Sequence, residues 1–387
     1  MRTVSLRAAV IILSLLMTGA AFGQEDETPL ADINVSVIGV LQGSPGFTGQ
    51  FTDTVGVTAV SGFFDFDLTM LPWKNGVAYL WLKAGRGDGI DADIPTLSMF
   101  NTTDVGSSLN LAELWYEHDF FNEKIRLRGG KIDITSAFDT NETANDEYNQ
   151  FISGGFVNNQ AVEFPDDSSF GAMLWISPNT FFDIGVGLAD AAADMDNVFK
   201  NPFSIFELGV KPEIAGRPGN YRVYGWHNGK DHERLNSPDV VNDSNYGVGF
   251  SADQKISEDV TLFARYGRQY GGVSQIEHAW SAGLSVSGKF PRRGEDTLGL
   301  AYGQAVIGKD WKSLDPDTGM DSGSEHRIEL YYSIKAGNYL NISPNLQWAK
   351  NPGGDRGNGG VWAFGIRAHF NLRNLNPLSQ RAAQTRN

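Results

Sequence analysis

The sequence predicts an all-β chain: a transmembrane antiparallel β-barrel of about 16 strands, with short periplasmic turns, long external loops and one loop folded inward. Three observations carry this. Apolar residues recur at every second position through most of the chain, and the links between such segments alternate between short and long. After the N-terminal residues no window approaches the roughly 20 apolar residues that a spanning helix needs.

Arg2 and Arg7, an apolar run from Ala8 to Met17, and small residues ending in Ala21, Phe22 and Gly23 read as a secretory signal over 1–23. Residues 24–370 are expected to form a single barrel and 371–387 a C-terminal tail. The strand candidates fall near 33–43, 54–70, 76–86, 110–119, 125–133, 170–178, 180–188 and 205–214. They continue at 220–228, 244–254, 259–270, 276–289, 296–306, 325–337, 338–349 and 359–370, bounded by Gly, Pro, Asn and Asp. Tight links such as Pro178-Asn179 and Gly337-Asn338 contrast with polar excursions at 87–109, 134–169 and 229–243.

Alternation assigns the faces. Val260, Leu262, Ala264 and Tyr266 oppose Thr261, Arg265 and Gln269; Leu298, Leu300 and Tyr302 oppose Thr297, Gly299, Ala301 and Gly303. Ile328, Leu330, Tyr332 and Ile334 oppose Arg327, Glu329, Tyr331 and Ser333. The last candidate sets Trp362, Phe364, Ile366 and Phe370 against Gly365, Arg367 and His369. A half-buried soluble sheet alternates too, but a sandwich of this many strands would need fully apolar central strands, which are scarce here.

Positive charge follows the wet parity. Lys83 shares a face with Tyr79 and Trp81, Arg126 and Arg128 alternate with Ile125 and Leu127, and Arg222 shares a face with Tyr224 and Trp226. A cation in mid-bilayer on a lipid-facing strand costs roughly 2–4 kcal/mol, so these side chains, with Arg265, Arg327 and Arg367, are expected to point into an aqueous lumen. Acidic residues concentrate in the long links; Glu113, Glu117 and Glu329 are expected beside the arginines, as a transverse field or as pairs that hold the wall in register. Trp81, Trp115, Tyr224 and Trp226 beside cations suggest a sugar track, because an aromatic face packs on pyranose C–H groups while guanidinium donates paired hydrogen bonds. Some could instead be girdle residues facing lipid.

The excursion from Lys131 is too long for an ordinary connection and is the candidate constriction loop, with Asp133, Phe138, Asp139, Asn141 and Gln150 as its marked residues. Gly129-Gly130 leaves the direction of Lys131 open. The net charge of −15 and the lack of any basic tract exclude nucleic acid as a partner, and the absence of cysteine excludes thiolate metal sites and cysteine nucleophiles. His118, His227, His232, His278, His326 and His369 show no metal-ligand spacing, and no G-x-S-x-G elbow occurs, so neither enzyme nor cofactor is expected.

Several stretches in order resemble the carbohydrate-selective porin family of OprB type. They are Leu127-Arg128-Gly129-Gly130-Lys131-Ile132-Asp133, Phe138-Asp139-Thr140-Asn141, Gln150-Phe151, Tyr221 to Asn228, Phe263-Ala264-Arg265-Tyr266-Gly267, Pro344-Asn345-Leu346-Gln347 with Asn351-Pro352-Gly353, and Gly365-Ile366-Arg367. The resemblance implies a sixteen-stranded outer-membrane barrel of a Gram-negative cell that admits monosaccharides and polyols through an inward-folded constriction. Arg128, Lys131, Arg222, Arg265 and Arg367 stand in the matching motifs. Small sugars would be the permeating solutes, outer-membrane lipid and lipopolysaccharide the surroundings, and the barrel-assembly machinery a biogenesis partner, with monomer and homotrimer both open. An anion-selective pore for phosphate or acidic sugars, and a plugged barrel acting as an enzyme or adhesin, are the alternatives.

Overall fold

The computed structural model describes residues 31–49, 53–71, 73–87, 89–103, 109–194, 200–288 and 293–372; the expected signal segment and nearly all of the C-terminal tail lie outside them. The strands are β1 (Ala31–Thr48), β2 (Asp53–Met70), β3 (Gly76–Arg86), β4 (Leu109–Phe120), β5 (Ile125–Ile132), β6 (Ser169–Ile176), β7 (Phe182–Asp190) and β8 (Pro202–Val210). They are followed by β9 (Glu213–Ile214), β10 (Arg217–His232), β11 (Asp243–Lys255), β12 (Val260–Gln269), β13 (Ile276–Ser287), β14 (Thr297–Ile307), β15 (Glu325–Lys335), β16 (Leu340–Lys350) and β17 (Val361–Asn371). β9 is a two-residue extension of the β8–β10 turn, which leaves sixteen strands in the wall. Every pairing is antiparallel, and β1 bonds to both β2 and β17, so the sheet closes and has no free edge.

Each sequence candidate has its strand. The largest differences are β1, which runs well past 33–43, and 205–214, which splits because Lys211 and Pro212 interrupt the ladder between β8 and β9. One rim carries the tight turns that follow β2, β4, β6, β11 and β15; the other carries the long connections that follow β3, β5 and β14, of which 89–103, 133–168 and 308–324 are described.

The outer face is apolar in register. Leu262, Leu284, Leu300, Leu330, Leu346 and Phe364 are directly opposite one another on six successive strands. Leu262, Leu300, Leu330 and Phe364 are all exposed, as the outward apolar band of a membrane barrel is. The inward positions of the same strands are polar and buried, Arg265, Ser281, Arg327, Glu329, Gln347 and Arg367 among them.

They are buried because the interior is occupied. Residues 133–168 bond to inward side chains of β8, β11, β12, β15 and β17, which requires the segment to run across the inside of the cylinder. Phe138, Phe151, Ile152 and Phe156 are completely buried there. A second excursion, 89–103, turns inward as well: Ile90, Ile94 and Phe100 pack with Val57, Ala349, Val361 and Ala363. The two segments are tied to each other, with Thr102 N donating to Ile152 O at 3.0 Å and Gly155 N to Ser98 O at 2.9 Å.

Candidate pore and constriction

The inner surface divides into two walls. On β10 to β17 the inward arginines are consumed in holding the folded-in segments. Arg265, 3% exposed, donates from Nη1 to the carbonyls of Ala144 and Phe156 and from Nη2 to that of Asp139, and it pairs with the Asp139 carboxylate at 3.3 Å. Arg367 donates to the carbonyls of Glu147 and Gln150. Arg327 pairs with Glu325 at 3.1 Å and lies 4.1 Å above the Phe100 ring. Arg222 donates to Thr140 O and sits near Glu207 and Asp253.

The wall carboxylates take the loops' backbone donors. Glu329 accepts from Ile152 N and Ser153 N, both at 2.9 Å, and Glu325 accepts from Leu97 N, Ser98 N and Gly353 N. Each of these N–H groups would otherwise be a buried unmet donor, at a cost of about 1–3 kcal/mol.

Tyr224 and Trp226 were expected as a sugar track; both are 4% exposed and belong to a hydrophobic cluster with Phe138, Phe203 and Ile205. The Tyr224 hydroxyl bonds to Asp139 and Asn159, both at 2.8 Å, and its ring lies across Gly249, where any Cβ would collide with it. No face of either ring is left for a solute. Arg265, Arg327 and Arg367 are likewise inward but buried: Arg265 and Arg367 donate to loop carbonyls, and Arg327 pairs with Glu325 against the Phe100 ring.

The marked loop residues anchor it. Asp139 N donates to Glu207, Asn141 Nδ2 to Ala252 O, and the Gln150 side chain accepts from Asn145 N and Asp146 N. Asp133 accepts from the amide and hydroxyl of Thr135, and Phe138 stacks on Trp175 at 5.6 Å. Burial pushes the Asp139 carboxyl up from its ordinary value against the pull of Arg265. It pushes Glu147 up to about 7, with Asp146 adding to the rise and Lys83 opposing it.

The wall from β2 to β6 differs. Trp81 Nε1 donates to Asp65 at 3.0 Å, and the Lys83 ammonium lies over Phe63 at 4.3 Å, with the loop's Tyr148 ring at 6.0 Å. Arg128 keeps 18% of its side chain exposed, pairs with Glu117 at 2.7 Å and lies 4.0 Å over Trp115, whose Nε1 donates to Glu113. Arg126 pairs with Asp119 and Glu117 at the short-turn rim, nearly half exposed. Here the cations and ring faces stay partly open to the interior, while Asp65, Glu113 and Glu117 are buried against them.

Two expectations need correction. Lys131 does not join this row: it stands opposite Leu114 and Phe170, both exposed on the outer face, and its ammonium is held by Leu111 O at 2.7 Å. The Gly129-Gly130 pair produces no register shift, so parity carries Lys131 outward. Nor are Glu113, Glu117 and Glu329 the only acids on the wall, since Asp65, Glu207, Asp253 and Glu325 face inward as well. Counting by twos from Phe63 reaches Asp65, so that signal was present; for 89–103 the apolar Ile90, Ile94 and Phe100 inside a polar stretch were the sign of an inward fold.

A model of the carbohydrate-selective porin, OprB family, matches residues 62–372. The chain belongs to the OprB family. Its members are outer-membrane porins, which are channels and not enzymes. Porin AaxA of Chlamydia trachomatis serovar D is 23% identical over 279 residues, covering 70% of this chain, and the match spans only 58% of that relative's own length. The putative porin QuiX of Acinetobacter baylyi is 19% identical, covering 80% of this chain and 81% of QuiX. Among solved structures, the high-pH form of Pseudomonas putida OprB superposes with a TM-score of 0.76 at 17% identity, covering 88% of this chain and 94% of that one, which shows the shared barrel fold.

Proposed function

We propose that this OprB-family barrel is a passive channel for small neutral carbohydrates. One observation carries the reading. The buried arginines are neutralised by loop carbonyls and carboxylates, while the inner surface left partly open, around Trp81, Lys83, Trp115 and Arg128, pairs ring faces with balanced charges. Ring faces suit the C–H side of a pyranose, and paired charges offer donors and acceptors to its hydroxyls without strongly attracting an ion. A phosphate or acidic-sugar channel would want unpaired guanidinium, and Asp65, Glu113, Glu117 and Asp133 around this region work against an anion.

Liposome swelling with matched neutral, anionic and cationic solutes tests the reading. Neutral hexoses and polyols should enter fastest. Faster entry of gluconate or phosphate would favour the anion pore, and the absence of single-channel steps from folded protein would favour a plugged barrel. The same proposal sets outer-membrane lipid, lipopolysaccharide included, against the leucine row. It also has residues 1–23 removed on export, so that the mature chain starts at Gln24.

A further inference from the structure

On the tight-turn side of the constriction loop lies a cleft of about 400 Å3, between residues 142–150 and the ends of β12 to β16. That size falls within the ~300–1,000 Å3 typical of small-molecule sites. Its wall is a grid of hydroxyls: Thr261 is directly opposite Ser285, Ser287 opposite Thr297, and Thr297 opposite Ser333. These positions share the inward parity, so four neighbouring strands present alcohols to one space. The Tyr331 ring lies across β14 over Gly299, where a Cβ would collide with it, and braces edge-on against Phe151 at 4.9 Å.

The cleft is more than a wet rim. Ser285 and Ser333 are 8% exposed and Tyr331 is 1% exposed, and the Tyr331 hydroxyl finds no hydrogen-bond partner among the described residues. Facing the grid, the loop contributes Glu142, Asp146 and Asn149. Asn149 is already fixed, accepting from Asn341 at 2.8 Å.

We infer that this cleft is a second solute-binding station, for a neutral polyhydroxylated molecule the size of a hexose, on the periplasmic side of the constriction. The chemistry selects that ligand. Each alcohol of the grid can both donate and accept, as sugar hydroxyls do, and the loop carboxylates accept from further hydroxyls. An anion would meet Glu142, Asp146 and Glu295, with Lys335 the one cation lining the cleft among the described residues. Solute leaving the narrow section would pause here before release. The inference rests on the proposed carbohydrate reading and adds a site to it.

The natural chain has no cysteine, so one introduced thiol reports one location. In the full-length barrel reconstituted in liposomes, Ser285→Cys and, on a neighbouring strand, Ser333→Cys are modified with a charged methanethiosulfonate, with and without glucose. Glucose should slow modification at both thiols several-fold and saturably, and adding Tyr331→Phe should raise the half-protecting concentration by about threefold, as the loss of one neutral hydrogen bond does. A thiol at the external Asp239→Cys should react at the same rate throughout. Rates at Ser285→Cys and Ser333→Cys that glucose leaves unchanged, in barrels whose swelling assay proves glucose entry, overturn the station while sparing the channel. Failure of glucose to enter at all removes the carbohydrate reading itself.

Discussion

Arg128 on β5 and Arg265 on β12 have the same parity and face the same interior, yet their surroundings differ. Arg128 lies over a tryptophan, shares one carboxylate and stays in contact with solvent. Arg265 is enclosed, with three backbone carbonyls, an amide and the Asp139 carboxylate around its guanidinium. Parity decides which side of the wall a residue occupies, while the long loop decides whether that residue can meet a solute. A planar guanidinium with five fixed donors suits either use, which is why residue type alone does not separate them.

The sharpest way to break the contrast is Arg265→Ala. Removing it leaves Asp139 buried without its counter-charge, a loss of about 3–5 kcal/mol in loop anchoring. Proteolysis within 133–168 should accelerate and single-channel conductance should rise. A step smaller, Glu329→Gln retains the shape but weakens acceptance from Ile152 N and Ser153 N, and should cost about 1–3 kcal/mol, read as a lower melting temperature with the barrel still folded. On the other wall, Lys83→Met should leave melting unchanged and move the reversal potential in a salt gradient towards cations by several-fold in permeability ratio, because the carboxylates around it lose a counter-charge.

The smallest effect expected is with pH. The Glu147 carboxyl, raised to about 7, is neutral below that pH and negative above it, beside Lys83. Cation preference should therefore increase from pH 6 to pH 8 in the natural protein and increase by less in Glu147→Gln.

The barrel was legible in the sequence because lipid on one side and water on the other impose a period of two that no interior contact can disguise. The outward row from Leu262 to Phe364 and the inward parity of Arg265, Arg327, Glu329 and Arg367 follow from it directly. What parity does not reveal is what fills the cylinder. Whether Tyr224 offers its ring to a sugar or to Phe138 depends on where residues 133–168 lie, and that is settled by contacts far apart in the chain, such as Asp139 with Arg265 and Ser153 with Glu329. Lys131 failed for a local reason: a glycine pair resembles a bulge in sequence but keeps regular pairing here.

The most direct measurement compares Arg128→Ala and Arg265→Ala in the same planar bilayer. If one wall serves the passage and the other anchors the loop, Arg128→Ala shifts the reversal potential towards cations at nearly unchanged conductance, and Arg265→Ala raises conductance and current noise. The reverse pattern, with Arg265→Ala altering selectivity alone and Arg128→Ala opening the channel, would contradict the division between the two walls.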